Sequence, residues 1–162
     1  MQKEKTEKTK SVRKKIILFL LIPISLGLMV ATIFRPTTDC KKVYRNDLQM
    51  KINDKLIETE LANDFATRQK GLSGRECIGD NQAMLFEFDT SERWGIWMKD
   101  MKFSIDIVWL DADKKVIDVK ENVSPDSYPS IFYPKSFASY VIEFGQGEIS
   151  RQKIAVGDQI SW

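Results

Sequence analysis

Arg75, Trp97, Lys99 and Asp106 are the residues whose types and spacing could carry chemistry. Asp106 lies in the run Ile105-Asp106-Ile107-Val108-Trp109-Leu110. Read as a strand, that run puts Ile105, Ile107 and Trp109 on one face and Asp106, Val108 and Leu110 on the other. Both faces are apolar, as in a central strand, so Asp106 is a carboxylate aimed into apolar surroundings. Such a group must find a cation or several donors, or stay protonated. Lys99 and Arg75 are the cations to consider. One outcome is a buried ion pair that fixes register or ties down a loop. The other is a small polar pocket with Trp97 as a wall, suited to a sugar or another small polar ligand. A hydrolase or lyase using Asp106 with Lys99 or Arg75 is the catalytic version of the same set.

The chain contains no histidine. That removes Ser-His-Asp and Cys-His catalysis, histidine general bases and histidine-ligated metals. No glycine-rich loop follows a strand and opens a helix, so dinucleotide and P-loop chemistry have no support and no cofactor is expected. Asp111 and Asp113 lack a third oxygen ligand at the next alternate position, where Lys115 stands, and no metal site is expected. Trp94 and Trp109 read as core. A second candidate surface is the aromatic set Tyr128, Phe132 and Tyr133 among Pro125, Pro129 and Pro134. It reads either as a rim that grips a glycan or partner, or as a long loop packed over an open end of the sheet.

These residues need a scaffold. Residues 48–53 and 56–62 alternate around Asn53-Asp54 as a hairpin. Asn63 can cap a short helix over 64–70 that Gly71 ends. Residues 84–88, 93–98, 105–110 and 115–123 are strand-like, with Asp111-Ala112-Asp113 as a tight turn. A proline-rich loop follows over 124–137, then a strand over 138–144, a helical turn over 148–153, the turn Val156-Gly157-Asp158 and a last short strand. Many short strands with one or two small helices predict a mainly β domain, a sandwich or partly closed barrel.

The N-terminal part is different. Residues 1–15 hold seven Lys or Arg and two Glu, a charge of +5, which leaves −3 for the rest. A mildly acidic domain behind a basic tail argues against nucleic-acid binding. Residues 16–34 are nineteen uncharged residues. As a helix they would span roughly 28 Å, close to the hydrocarbon thickness of a bilayer. The organisation expected is a basic cytoplasmic tail (1–15), a transmembrane anchor (16–34), a linker (35–46) and an extracytoplasmic β domain (47–162). Cleavage as a secretory signal is the alternative. In an oxidising compartment Cys40 and Cys77, the chain's two cysteines, are expected to pair. The bridge would stabilise by roughly 3–4 kcal/mol in the chain-entropy picture.

Several phrases match a known pattern: Arg68-x-x-Gly71-Leu72-Ser73-Gly74-Arg75, Met84-Leu85-Phe86-Glu87-Phe88, and Trp97-Met98-Lys99. Ile105 to Asp111, Tyr140-Val141-Ile142-Glu143-Phe144 and Val156-Gly157-Asp158 continue it. Over roughly residues 43–162 the chain resembles the domain of unknown function 192 family. The resemblance implies a single all-β, sandwich-like domain, often behind a signal or anchor, and implies no activity. The chain departs from the family at Asp100-Met101, where Asn-Thr is usual, and at Ala138-Ser139, where Ala-Arg is usual. If those positions line a site, its ligand differs from the family's usual one.

The first expectation is therefore a membrane-tethered, non-enzymatic domain that binds a small polar or envelope-derived ligand. An envelope hydrolase or lyase and a protein-docking module are the rivals.

Overall fold

Asn53 turns the chain at φ 53°, a left-handed conformation that asparagine tolerates. It thereby joins β1 (Leu48–Ile52) to β2 (Lys55–Ala62). A computed structural model describes residue 40 and residues 45–162, and the expected tail and apolar run fall outside those residues. No helix among the described residues is long and apolar enough to cross a membrane. Of the 35–46 stretch only residues 40, 45 and 46 are described, and Arg45 already bonds Asp47 and the Leu61 carbonyl.

Helix α1 (Phe65–Lys70) starts one residue later than expected. Asp64, not Asn63, is its cap: its carboxylate accepts from the Thr67 N–H at 2.9 Å while the Thr67 hydroxyl accepts from the Asp64 N–H. The Thr67 N–H holds the Asp64 carboxyl below its ordinary value. Then come β3 (Gln82–Glu92), β4 (Ile96–Trp97), β5 (Ile105–Leu110), β6 (Val116–Val123), β7 (Ile131–Phe132) and β8 (Ala138–Gly145). Helix α2 (Glu148–Gln152) and β9 (Ile160–Ser161) finish the fold.

Seven strands form one sheet in the order β6-β5-β8-β3-β2-β1-β9. Neighbours are antiparallel except β2 and β3, which run parallel across the connection containing α1. The sheet curls until its two outer strands meet at one corner. There the Val116 N–H donates to the Asp158 carbonyl, the Gly157 N–H to Val116 and the Ile160 N–H to Lys114, at 2.8–3.1 Å. The architecture is thus a partly closed half-barrel. The sandwich expected as its alternative is not formed, because the right-handed twist of one long sheet brings its own edges together. The proline-rich loop also differs from expectation. It supplies a short 3₁₀ turn (Pro125–Ser127) and β7, which pairs with β4 as a separate two-stranded ribbon.

Strand alternation divides the core between the two faces of the sheet. One face carries Leu85, Val108, Leu110, Ile142 and Phe144, packed with Ile149 of α2. The other carries Met84, Phe86, Ile107, Trp109 and Val141, covered by Leu72, Ile96 and Met98. Every residue of β5 is buried, as a strand apolar on both faces requires.

Cys40 and Cys77 are joined in a disulfide with Cα atoms 5.9 Å apart. It closes a 37-residue separation, so reduction removes a constraint on the unfolded chain. Reductant is expected to lower the unfolding midpoint by several degrees. Superimposable melts with and without it would show that the bridge contributes nothing.

Candidate functional site

Asp106 lies on the α2 face of the sheet, fully buried, and its hydrogen bonds come from backbone distant in sequence. Oδ1 accepts from the Asn122 N–H at 2.9 Å. Oδ2 accepts from the Gly147 and Ile149 N–H groups at 2.9 and 3.0 Å, at the start of α2. Backbone donors, not Arg75 or Lys99, satisfy this carboxylate. Its work is to tie β6 and α2 to the end of β5.

Arg75 and Trp97 belong to the opposite face. Glu60, Met84, Glu143 and Ile107 form one row across β2, β3, β8 and β5, each directly opposite the next. Paired residues share a face. Arg75 closes a 2.7 Å ion pair with Glu60. Glu143 has no such partner: its Oε2 is buried and makes no hydrogen bond within the described residues. Burial pushes the Glu143 carboxyl up from 4.5 to about 8, and the nearby charge of Arg75 offsets only part of that.

Glu143 forms part of the lining of a cleft of about 450 Å³. Its wall is built in layers. The Arg68 guanidinium lies 5.3 Å from the centre of the Phe88 ring, and Trp94 stacks on Phe88 at 4.0 Å with the planes 8° apart. Arg68 is anchored by bonds to the carbonyls of Asn63 and Glu87. Trp94, expected as core, is instead half-buried and lines the cleft, whereas Trp109 is core and donates its indole N–H to the Trp94 carbonyl. Phe65, Leu72, Phe86, Ile96, Trp97 and Met101 complete the apolar lining.

The Gly71–Arg75 loop passes close over the carboxylate. A Cβ at Gly71 would lie 3.3 Å from the Phe86 ring and 3.8 Å from Glu143 Oε2, and Gly71 has φ 48°. Glycine is what lets the backbone come this near in that conformation. The loop is fastened to the turn after β4: Ser73 Oγ donates to the Lys99 carbonyl and the Gly74 N–H to the Asp100 carbonyl, both at 2.8 Å. Of the two residues that depart from the resembled pattern here, Met101 lines the cleft itself.

At the mouth Trp97 is 43% exposed, with Tyr128 edge-on at 6.4 Å and the Lys99 ammonium 5.9 Å from its ring centre. Phe132 packs against the core, and Tyr133 crowds Gly95. The structure therefore brings Arg75, Trp97, Lys99 and Tyr128 to one side of the sheet and leaves Asp106 on the other. It adds Glu143, Arg68 and Trp94. The signal for Glu143 lies in its own strand, a carboxylate within Tyr140 to Phe144 among apolar neighbours on both sides.

Comparison with known proteins agrees with this architecture. A UPF0127 protein of Thermococcus kodakarensis is 30% identical over 105 residues, 65% of this chain and 64% of that one. The chain thus spans somewhat under two-thirds of that relative's length. A UPF0127 protein of Pyrococcus abyssi is 33% identical over 65% of this chain and 86% of its own. A crystal structure from Sinorhizobium meliloti, of a protein named as a candidate transcription regulator, superposes with a TM-score of 0.65 at 25% identity, covering 70% of this chain and 89% of that one. A protein of unknown function from Novosphingobium aromaticivorans superposes with a TM-score of 0.63 at 26% identity, over 66% and 76%. The family model DUF192, described as "Uncharacterized ACR", matches residues 48–162. That segment takes in every strand of the sheet, and the chain belongs to the DUF192 family.

Proposed function

We propose that this domain binds a small polar ligand with a ring, such as a sugar of the cell envelope, in the cleft above Glu143. The observation that carries the reading is a buried carboxyl oxygen, Glu143 Oε2, with no hydrogen-bond partner among the described residues at an aromatic-lined cleft. A buried polar group in a folded protein is ordinarily satisfied. One left open in a concave, mostly apolar site is a natural contact for a ligand. Trp97 and Trp94 offer faces for a ring, and Arg68 stands beside them.

The domain acts outside the cytoplasm, held by residues 16–34 as a membrane anchor or released after signal cleavage. The basic tail ahead of an uncharged nineteen-residue run supports this placement, and the Cys40–Cys77 bridge suits an oxidising compartment. The regulator name of the Sinorhizobium protein would imply nucleic acid as partner. The −3 charge of residues 16–162 weighs against that.

A catalytic reading now rests on Glu143 and not on Asp106, whose oxygens are occupied by backbone donors. A carboxyl protonated near neutral pH is suited to act as a general acid. It is the second reading because no base has been placed opposite it.

The test is a thermal-shift screen of the full chain in detergent against envelope sugars and small metabolites. One compound class is expected to raise the midpoint by a few degrees. Trp97→Ala should weaken that binding about tenfold, the size of one lost ring contact. Silence across the panel would leave the cleft to a protein-docking role and end the small-ligand reading.

A further inference from the structure

The cleft's charges are unevenly placed, and this narrows the ligand class, provided the small-ligand reading above holds. Cations dominate its margin. Arg68 and Lys70 of α1 both line it. Lys99 stands against Trp97 at the mouth, and its carbonyl is bonded to Ser73, another lining residue. The Lys70 ammonium is 3.5 Å from where a Cβ on Gly74 would sit, so it reaches along the same loop. Among the lining residues Glu143 is the one carboxylate.

The groups facing Glu143 can be named element by element. Arg68 and Lys70 of α1 share the cleft lining with it, and Arg75 of the following loop is the cation whose charge reaches it. Glu60 of β2 is engaged with Arg75. Met84 of β3 and Ile107 of β5 are apolar. An ammonium ligand entering this cleft would meet Arg68 and Lys70 in its lining and Lys99 beside Trp97. A ligand bearing a carboxylate would be drawn to the margin and could present a hydroxyl or carbonyl oxygen to Glu143 as acceptor.

We infer that the cleft selects an anionic ring compound of the uronic acid class. Its ring lies against Trp97 and Trp94, its carboxylate meets Lys70, Arg68 and Lys99, and an oxygen acceptor meets the Glu143 carboxyl group. Recognition at the floor then depends on Glu143 carrying a proton. The raised value for this group keeps it protonated at neutral pH. Ionising it would remove the donor and set a negative charge facing an anionic ligand.

The experiment is calorimetric titration of the full chain with glucuronic acid, glucose and glucosamine at pH 6.5 and pH 9. Glucuronic acid is expected to bind at least tenfold more tightly than glucose at pH 6.5, with glucosamine weakest, and to lose at least tenfold in affinity at pH 9. Glu143→Gln should retain binding and abolish the pH dependence. Lys70→Ala should reduce the preference for glucuronic acid over glucose, most visibly at low salt. Glucose or glucosamine binding as well as glucuronic acid would overturn the charge assignment while leaving the sugar reading intact. A wild-type affinity for glucuronic acid equal at the two pH values would overturn the role of the protonated carboxyl. If none of the three binds, the uronic acid assignment fails, and the wider screen decides separately whether the small-ligand reading fails with it.

Discussion

Asp106→Ala is expected to cost about 5 kcal/mol of folding stability, enough to lower the unfolding midpoint by ten degrees or more. Three backbone N–H groups, of Asn122, Gly147 and Ile149, converge on this one carboxylate at 2.9–3.0 Å. A hydrogen bond to a charged acceptor contributes about 1.5–3 kcal/mol, and truncation also leaves donors buried without a partner. Asp106→Asn should cost less but still measurably, because its amide turns one acceptor into a donor facing donors. The measurement is urea or thermal unfolding of the full chain. A variant that melts with the wild type but loses binding or turnover would return Asp106 to the functional site and remove the architectural role assigned here.

Glu143 gives the second large effect, in the form of a pH dependence. Its carboxyl group titrates near 4.5 in the unfolded chain and near 8 in the fold. Between those values the native state holds a proton that the unfolded state has released. Stability from this group is therefore complete below about pH 4.5, declines as pH rises, and levels off beyond about pH 8. The slope is about 1.4 kcal/mol per pH unit in the middle of the window, and the whole change is on the order of 5 kcal/mol. Glu143→Gln keeps the shape without the titration. It is expected to flatten the profile and to exceed the wild type in stability at pH 8.5, with the two converging near pH 4.5. Parallel profiles for the two proteins would mean that the Glu143 carboxyl titrates alike in the folded and unfolded chain, and the cleft would then be negative at its floor at neutral pH.

Much of the sheet is legible in the residues themselves. The 105–110 run alternates two apolar sets, and the strand is buried on both faces. Asn53-Asp54 marks its hairpin, and the two cysteines pair. What alternation cannot reveal is which residues of different strands share a face. Asp106 and Trp97 are close in sequence, yet strand parity and the intervening turns send them to opposite sides. Glu143 carries the same signature as Asp106, a carboxylate within an apolar strand. Sequence alone directs attention to Asp106 because cations lie just upstream of it, and nothing local distinguishes a carboxylate met by backbone N–H groups from one left open. The helix cap at Asp64 and the β4–β7 ribbon escape for a related reason. Neighbouring Asn and Asp are equivalent as caps, and a two-residue strand has no period to read.

The corner where β6 meets β9 has a consequence for how the protein keeps to itself. An open sheet ends in two rows of bare amide and carbonyl groups, each a template onto which a neighbouring molecule can add a strand. Here the stretches 114–116 and 157–160 spend those groups on one another, so the two outermost strands guard each other at that corner. The stretch 157–160 thus acts as a clasp against stacking of copies edge to edge at that corner.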